Sequence, residues 1–175
     1  MLSKADINWL EHLSNSQKVK IIPYDPKVKE IFDKQKREIL NILEQEVEVL
    51  HSGASGMGIS GQDEIDLVIL VPLGLFDETT AKLQKAYGPP DSFYANQRAK
   101  FNRQQGDKKI EVFIINQDSE ERKRSKTFED YLTKHPQSLE AYRKLKEASD
   151  GIGIKEYYRR KMEFINDIID KAFSD

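Results

Sequence analysis

At 175 residues, 38% of them hydrophobic and 33% charged, the chain is long enough to bury a core beneath a heavily charged surface. Lys plus Arg is 28 and Asp plus Glu is 30, a net charge of −2, which excludes the strong basic excess of a nucleic-acid-coating protein and makes long nucleic acid the least favoured partner. With no cysteine, disulfides and thiolate zinc sites are excluded, and the longest apolar run, Leu67 to Val71, is too short to span a membrane. Asp6, Glu11 and His12 interrupt any signal-peptide layout, so a cytoplasmic location is expected.

Ser3, with Asp6 completing a capping box, predicts a short helix through Leu13 whose apolar face is Ile7, Trp9, Leu10 and Leu13. Residues 1–20 read as this helix and a polar linker, Asn15 to Lys20, ahead of a domain over 21–175. The prolines of Ile21-Ile-Pro-Tyr-Asp-Pro26 keep that segment extended, and Asp25 is the expected cap of a helix beginning at Pro26 and running to about Gln45. Val47 to Ser52 alternates and predicts a strand, and a small-residue loop follows. Glu64 to Val71 is the next strand, ended by Pro72 and Gly74, and Asp77 is the expected cap of a helix through Tyr87 stopped by Gly88-Pro-Pro90. Arg98 to Arg103 and Lys109 to Asn116 are expected to pair as a hairpin about Gly106. The rest is helical: Asp118, boxed with Glu121, to Lys134; Ser138 to Ala148; and Lys155 to Phe173. This order argues for an α/β (α+β) domain with a small mixed sheet flanked by helices and a helical C-terminal half.

Chemistry concentrates in the loop and the strands beside it. Glu64 and Asp66 are two residues apart, so in a strand both side chains leave the same face. Glu111 stands mid-strand among apolar neighbours. An acid in that setting is costly unless paired, hydrated or bound to metal. Three carboxylates supply the hard oxygen ligands that Mg²⁺, or Mn²⁺, uses while it also holds substrate phosphates. Solvated acids at a loop edge are the plainer alternative. Gly53-Ala-Ser-Gly-Met-Gly58 offers unobstructed backbone N–H groups for phosphate, and Ser55 adds a hydroxyl. No Gly-Lys-Ser/Thr follows, so this is not a Walker A loop. Asp63 is expected to finish the loop turn. Arg98 and Lys100 alternate onto one face, as a triphosphate clamp requires, or as a charged edge that blocks strand addition.

These residues resemble the GrpB family, a branch of the nucleotidyltransferase superfamily, from Ile22 onward. Pro23-Tyr-Asp-Pro26 is similar to the family's opening tetrapeptide, His51-Ser-Gly-Ala-Ser55 to its histidine, one residue, then glycine-serine-threonine or glycine-alanine-serine, and Ile65-Asp-Leu67 to its isoleucine-aspartate signature. Arg98 with Phe101, Phe128-x-x-Tyr-Leu-x-x-His-Pro136, Ala141-Tyr-x-x-Leu-Lys146 and Tyr157-x-x-x-Lys161-x-x-Phe-Ile165 continue the resemblance in order. It implies a nucleotidyltransferase-like core in which Gly53 and Ser55 hold phosphates and Glu64, Asp66 and Glu111 form the metal and catalytic set. Three departures stand out. The proline-glycine expected near Met57-Gly-Ile59 is missing, a lysine common before the acids is absent at Gly61-Gln62, and Glu111 stands where many members have histidine.

The expectation is therefore Mg²⁺-dependent transfer of a nucleotidyl group from a nucleoside triphosphate to an acceptor. Gly53, Ser55, Arg98, Lys100 and Lys161 would contact nucleotide and phosphate, with Tyr157 or Lys161 approaching from the last helix. The rivals are a nucleotide-binding module of the same fold without turnover, and an interaction protein, including a homodimer, that works through its terminal helices.

Overall fold

The computed structural model describes residues 2–174. Its elements in chain order are α1 (Lys4–Glu11), α2 (Val28–Leu43), β1 (Glu48–Ser52), α3 (Gly53–Gly56), β2 (Glu64–Val71), α4 (Phe76–Tyr87), β3 (Ser92–Tyr94), β4 (Arg98–Gln105), β5 (Lys108–Asn116), α5 (Glu120–Lys134), α6 (Pro136–Glu147) and α7 (Ile154–Ala172). They form a mixed α/β fold, and among the described residues no helix is long and apolar enough to cross a membrane. The chain divides into two compact units. One holds Tyr24–Ile59 and Asp63–Lys123; the other holds the residues up to Pro23, Ser60–Gln62, and those from Arg124 onward.

The first unit is a five-stranded sheet in the order β1-β2-β5-β4-β3. β2 and β5 are parallel, and the other pairs are antiparallel. Period-two alternation sends Ile65, Leu67, Ile69 and Val71 of β2 to one face with Ile110, Val112 and Ile114 of β5 and Ala99 and Phe101 of β4. There they pack on Val28, Phe32, Ile39 and Leu43 of α2 and on Phe76 and Leu83 of α4. Each such large side chain removed from water contributes about 1.5–3 kcal/mol, so this face anchors the sheet. The residues between them are sent to the opposite face.

α2 begins at Val28 rather than Pro26, because Val28, Lys29 and Glu30 first make tighter three-residue turns to Asp25, Pro26 and Lys27. Asp25 still serves the entry, accepting the Lys27 N–H at 3.0 Å. The hairpin about Gly106 forms as expected, with Asn102 opposite Glu111. The cap of α5 is Ser119, whose hydroxyl accepts the Arg122 N–H at 3.1 Å. The cap expected at Asp118 falls one residue later without a reciprocal box, and the Asp118 N–H itself donates to Asn116 Oδ1.

In the other unit the expected capping box of α1 is present, Ser3 Oγ accepting from Asp6 and Asp6 from Ser3. The helix ends at Glu11, short of Leu13. Trp9 sets its ring edge against Tyr158 of α7 at 5.1 Å, so the N-terminal segment groups with the C-terminal helices. The polar stretch expected as a linker is pinned. Lys18 bridges to Gly153, and Val19 exchanges backbone bonds with Ile152 and Gly151 at 2.9 Å. α6 starts at Pro136, using the proline at its first turn where no N–H is needed.

Candidate metal centre

The face of the β2–β5 pair turned away from α2 and α4 carries the charges. In the parallel register Asp66 lies opposite Glu111 and Glu64 opposite Lys109. Alternation places all four on the face away from the α2–α4 core. One carboxylate oxygen from each of Glu64, Asp66 and Glu111 lies within 4.8 Å of the others. Glu111 is 7% exposed, and an unpaired charge there would be prohibitive. Two ammonium groups answer it: Lys100 Nζ of β4 at 2.6 Å and Lys109 Nζ at 2.5 Å. Lys109 also reaches Glu64 Oε1 at 2.8 Å. Burial alone would push the Glu111 carboxyl up, but hydrogen bonds from both lysines outweigh it and hold the group below its ordinary value. For Lys109 burial works against the charge, and its bonds to Glu111 and Glu64 raise it well above the usual ammonium range. Lys109 was not among the residues the sequence pointed to. The only signal for it is its two-residue spacing from Glu111.

The glycine segment is a helical turn rather than an open loop, with the Met57 N–H returning to the Gly53 carbonyl at 3.2 Å. Gly53 sits at φ 68°, and a Cβ there would lie 1.9 Å from Asp66 Oδ2. Only glycine lets the turn close this tightly over the acid. Ser55 is engaged differently from expectation. Its hydroxyl donates to the Glu64 carbonyl at 3.0 Å and lies 3.1 Å from His51 Nε2. Because the one hydroxyl proton points to Glu64, the serine oxygen accepts from His51 Nε2–H. The His51 ring stacks on Phe32 at 4.5 Å, and burial lowers its pKa, which keeps it neutral. His51 and Ser55 therefore brace the turn against β2.

Residues 18–171 match the profile of the family described as GrpB protein. The chain belongs to the GrpB family. That family lies within the nucleotidyltransferase-like superfamily. A solved structure described as the conserved protein GrpB from Enterococcus faecalis superposes with a TM-score of 0.67 at 20% identity, over 88% of this chain and 97% of that one. No curated protein matches the chain.

Arg98, expected beside the cluster, takes another partner. Arg98 shares the face with Lys100 but turns to Glu121 of α5 at 2.8 Å, with its guanidinium 5.0 Å from the Tyr94 ring centre. Asp63 finishes the turn at φ 64°, as read, and pairs with Lys108 Nζ at 2.5 Å. Lys161 and Tyr157 belong to α7 in the other unit. There Lys161 Nζ lies 5.4 Å from the Tyr158 ring centre, and buried Tyr157 accepts a bond from Lys146 at 3.1 Å. His12 and His135 each bond a carbonyl one helical turn back, Asn8 and Tyr131.

Proposed function

We propose that this GrpB-family chain is a nucleotidyltransferase that moves a nucleotidyl group from a nucleoside triphosphate to an acceptor hydroxyl or amine, with Mg²⁺ or Mn²⁺ at the carboxylate cluster. The observation that carries the reading is the convergence of Glu64, Asp66 and Glu111 within 4.8 Å beneath Gly53. The donor set fits such an ion. It is three hard oxygen ligands, and a lysine ammonium already sits between two of them. When bound, the ion would polarise the phosphoryl group and neutralise its charge.

The protein's own groups divide the remaining work. Asp66 is held under the turn, and Glu64 is held by the register of β2 on β5. Glu111, kept ionised, suits a ligand better than a general base. The backbone of the Gly53 turn, rather than the Ser55 hydroxyl, is the element that can approach a phosphate. Lys100 and Lys109 supply positive charge beside it.

A thermal-shift panel of nucleoside triphosphates, with and without Mg²⁺, tests the reading on wild type and Asp66→Ala. A Mg²⁺-dependent rise lost in Asp66→Ala supports it, since a ligand that binds only the native state raises the midpoint. Triphosphate binding with no pyrophosphate released over a broad acceptor screen marks a binding module instead. No shift from folded protein with any triphosphate removes the nucleotide reading.

A further inference from the structure

The geometry points to Lys109 as the resident cation of the carboxylate cluster, whose place a divalent ion must take in order to bind. The inference rests on the metal reading above and concerns how that site is held and filled.

Three carboxylates on adjoining strands repel one another, and the fold brings them together all the same. Lys109, together with Lys100, makes this tolerable. It stands on β5 yet bonds acids of both strands, Glu64 of β2 at 2.8 Å and Glu111 of β5 at 2.5 Å, in each case through Oε1. An ammonium in that position occupies the space in which an ion coordinated by both residues would sit. Lys100 is a different kind of partner. It bonds Glu111 at 2.6 Å, lies 5.4 Å from the Phe113 ring centre, and its side chain is only 23% exposed. The Lys109 side chain is 42% exposed. Its stem can therefore swing to solvent without disturbing the core, whereas Lys100 is tied to its place.

Two consequences follow with opposite signs. Without metal, Lys109 stabilises the fold, because it neutralises acids that would otherwise face each other. Toward metal it is a competitor, so the bare site binds a divalent ion weakly. A triphosphate arriving with the ion offers the released ammonium a new anionic partner, which couples nucleotide binding to metal binding through this one side chain.

The experiment measures Mn²⁺ binding by electron paramagnetic resonance of the free ion, together with melting midpoints, on wild type, Lys109→Met, Lys109→Gln, Lys109→Arg and Asp66→Ala. Lys109→Met and Lys109→Gln are expected to melt lower than wild type without metal and to bind Mn²⁺ about tenfold more tightly, the scale of one lost charge-assisted contact. Lys109→Arg should stay near wild type in both. Inorganic triphosphate should tighten Mn²⁺ binding in wild type and do so less in the neutral variants. Equal or weaker Mn²⁺ binding by the neutral variants overturns the inference while leaving the metal site standing. No Mn²⁺ binding by folded wild type or by any Lys109 variant removes the metal site and the inference together. The second neutral variant keeps the comparison intact where one fails to fold.

Discussion

Replacing Gly53 by alanine probes the closest approach in the site. Two costs add. The residue holds φ 68°, and an L side chain in the left-handed region costs about 1–2 kcal/mol. The new Cβ would also stand 1.9 Å from Asp66 Oδ2 and 2.9 Å from its Cγ, so the carboxylate must retreat by about 1.5 Å to reach ordinary contact. Moving a partly buried carboxylate out of its place adds about 1–3 kcal/mol. Gly58→Ala is the control, because its φ is 70° and nothing lies within 4 Å of the added carbon. It should cost about 1–2 kcal/mol, each kcal/mol being a fall of about 2–4 °C in the melting midpoint for a chain of this size. Gly53→Ala should cost about 2–5 kcal/mol and also lose Mn²⁺ binding, which Gly58→Ala should keep. Urea unfolding of both variants, paired with the Mn²⁺ titration, reads the two effects separately. Equal destabilisation and equal metal binding in the two variants would refute the claim that the Gly53 turn is closed over Asp66.

Ser55→Ala should lower stability by about 1–2 kcal/mol through loss of its bonds to the Glu64 carbonyl and His51, while keeping a Mg²⁺-dependent triphosphate shift from the lower baseline. An unchanged midpoint with the shift abolished would make Ser55 a phosphate ligand after all. His51 should titrate below 6.5 by NMR and carry its proton on Nε2. Burial depresses the folded value, so its contribution to stability is whole above pH 6.5 and falls away as pH drops through the folded value. A midpoint above 6.5, or an Nδ1–H tautomer, would contradict the brace. Glu156 is held down to about 2 by hydrogen bonds from Arg159 and then Arg160. Its side chain is 38% exposed and screened by solvent, so Glu156→Gln should cost about 1 kcal/mol or less at pH 7. The folded value is depressed, so the gap between wild type and variant should shrink as pH falls below about 4.5 and close near 2. A gap unchanged at pH 2 would show that the glutamine acts through something other than the lost charge.

Local physics made much of this chain legible. β2 spans Glu64–Val71 as its alternation and flanking residues indicate, because side-chain period and the Pro72 stop are properties of the strand itself. The same period sends Glu64 and Asp66 to one face whatever packs nearby. The capping box at Ser3 and Asp6 involves groups three residues apart and needs no partner elsewhere. The cap expected at Asp118 falls one residue later, where the Asp118 N–H donates to Asn116 Oδ1 and Ser119 Oγ accepts the Arg122 N–H. A run of small residues read as a loop closes into a helical turn over Asp66, where Gly53 carries only a hydrogen in the place a Cβ would meet the carboxylate.

The centre itself belongs to tertiary structure. Alternation says which face Glu111 and Lys109 take on β5, but not that β5 lies parallel beside β2, nor that Asp66 falls opposite Glu111. Those facts depend on the packing of Ile65, Leu67, Ile110 and Val112 on α2 and α4, which couples residues more than forty positions apart in the chain. The same register places the Lys109 ammonium between two carboxylates and leaves Arg98, on the same strand face as Lys100, to Glu121 instead. Sequence determined which side chains are acids and which face they leave; the pairing of strands decided that three of them meet, and which cation meets them, because register is set by buried contacts distant in the chain.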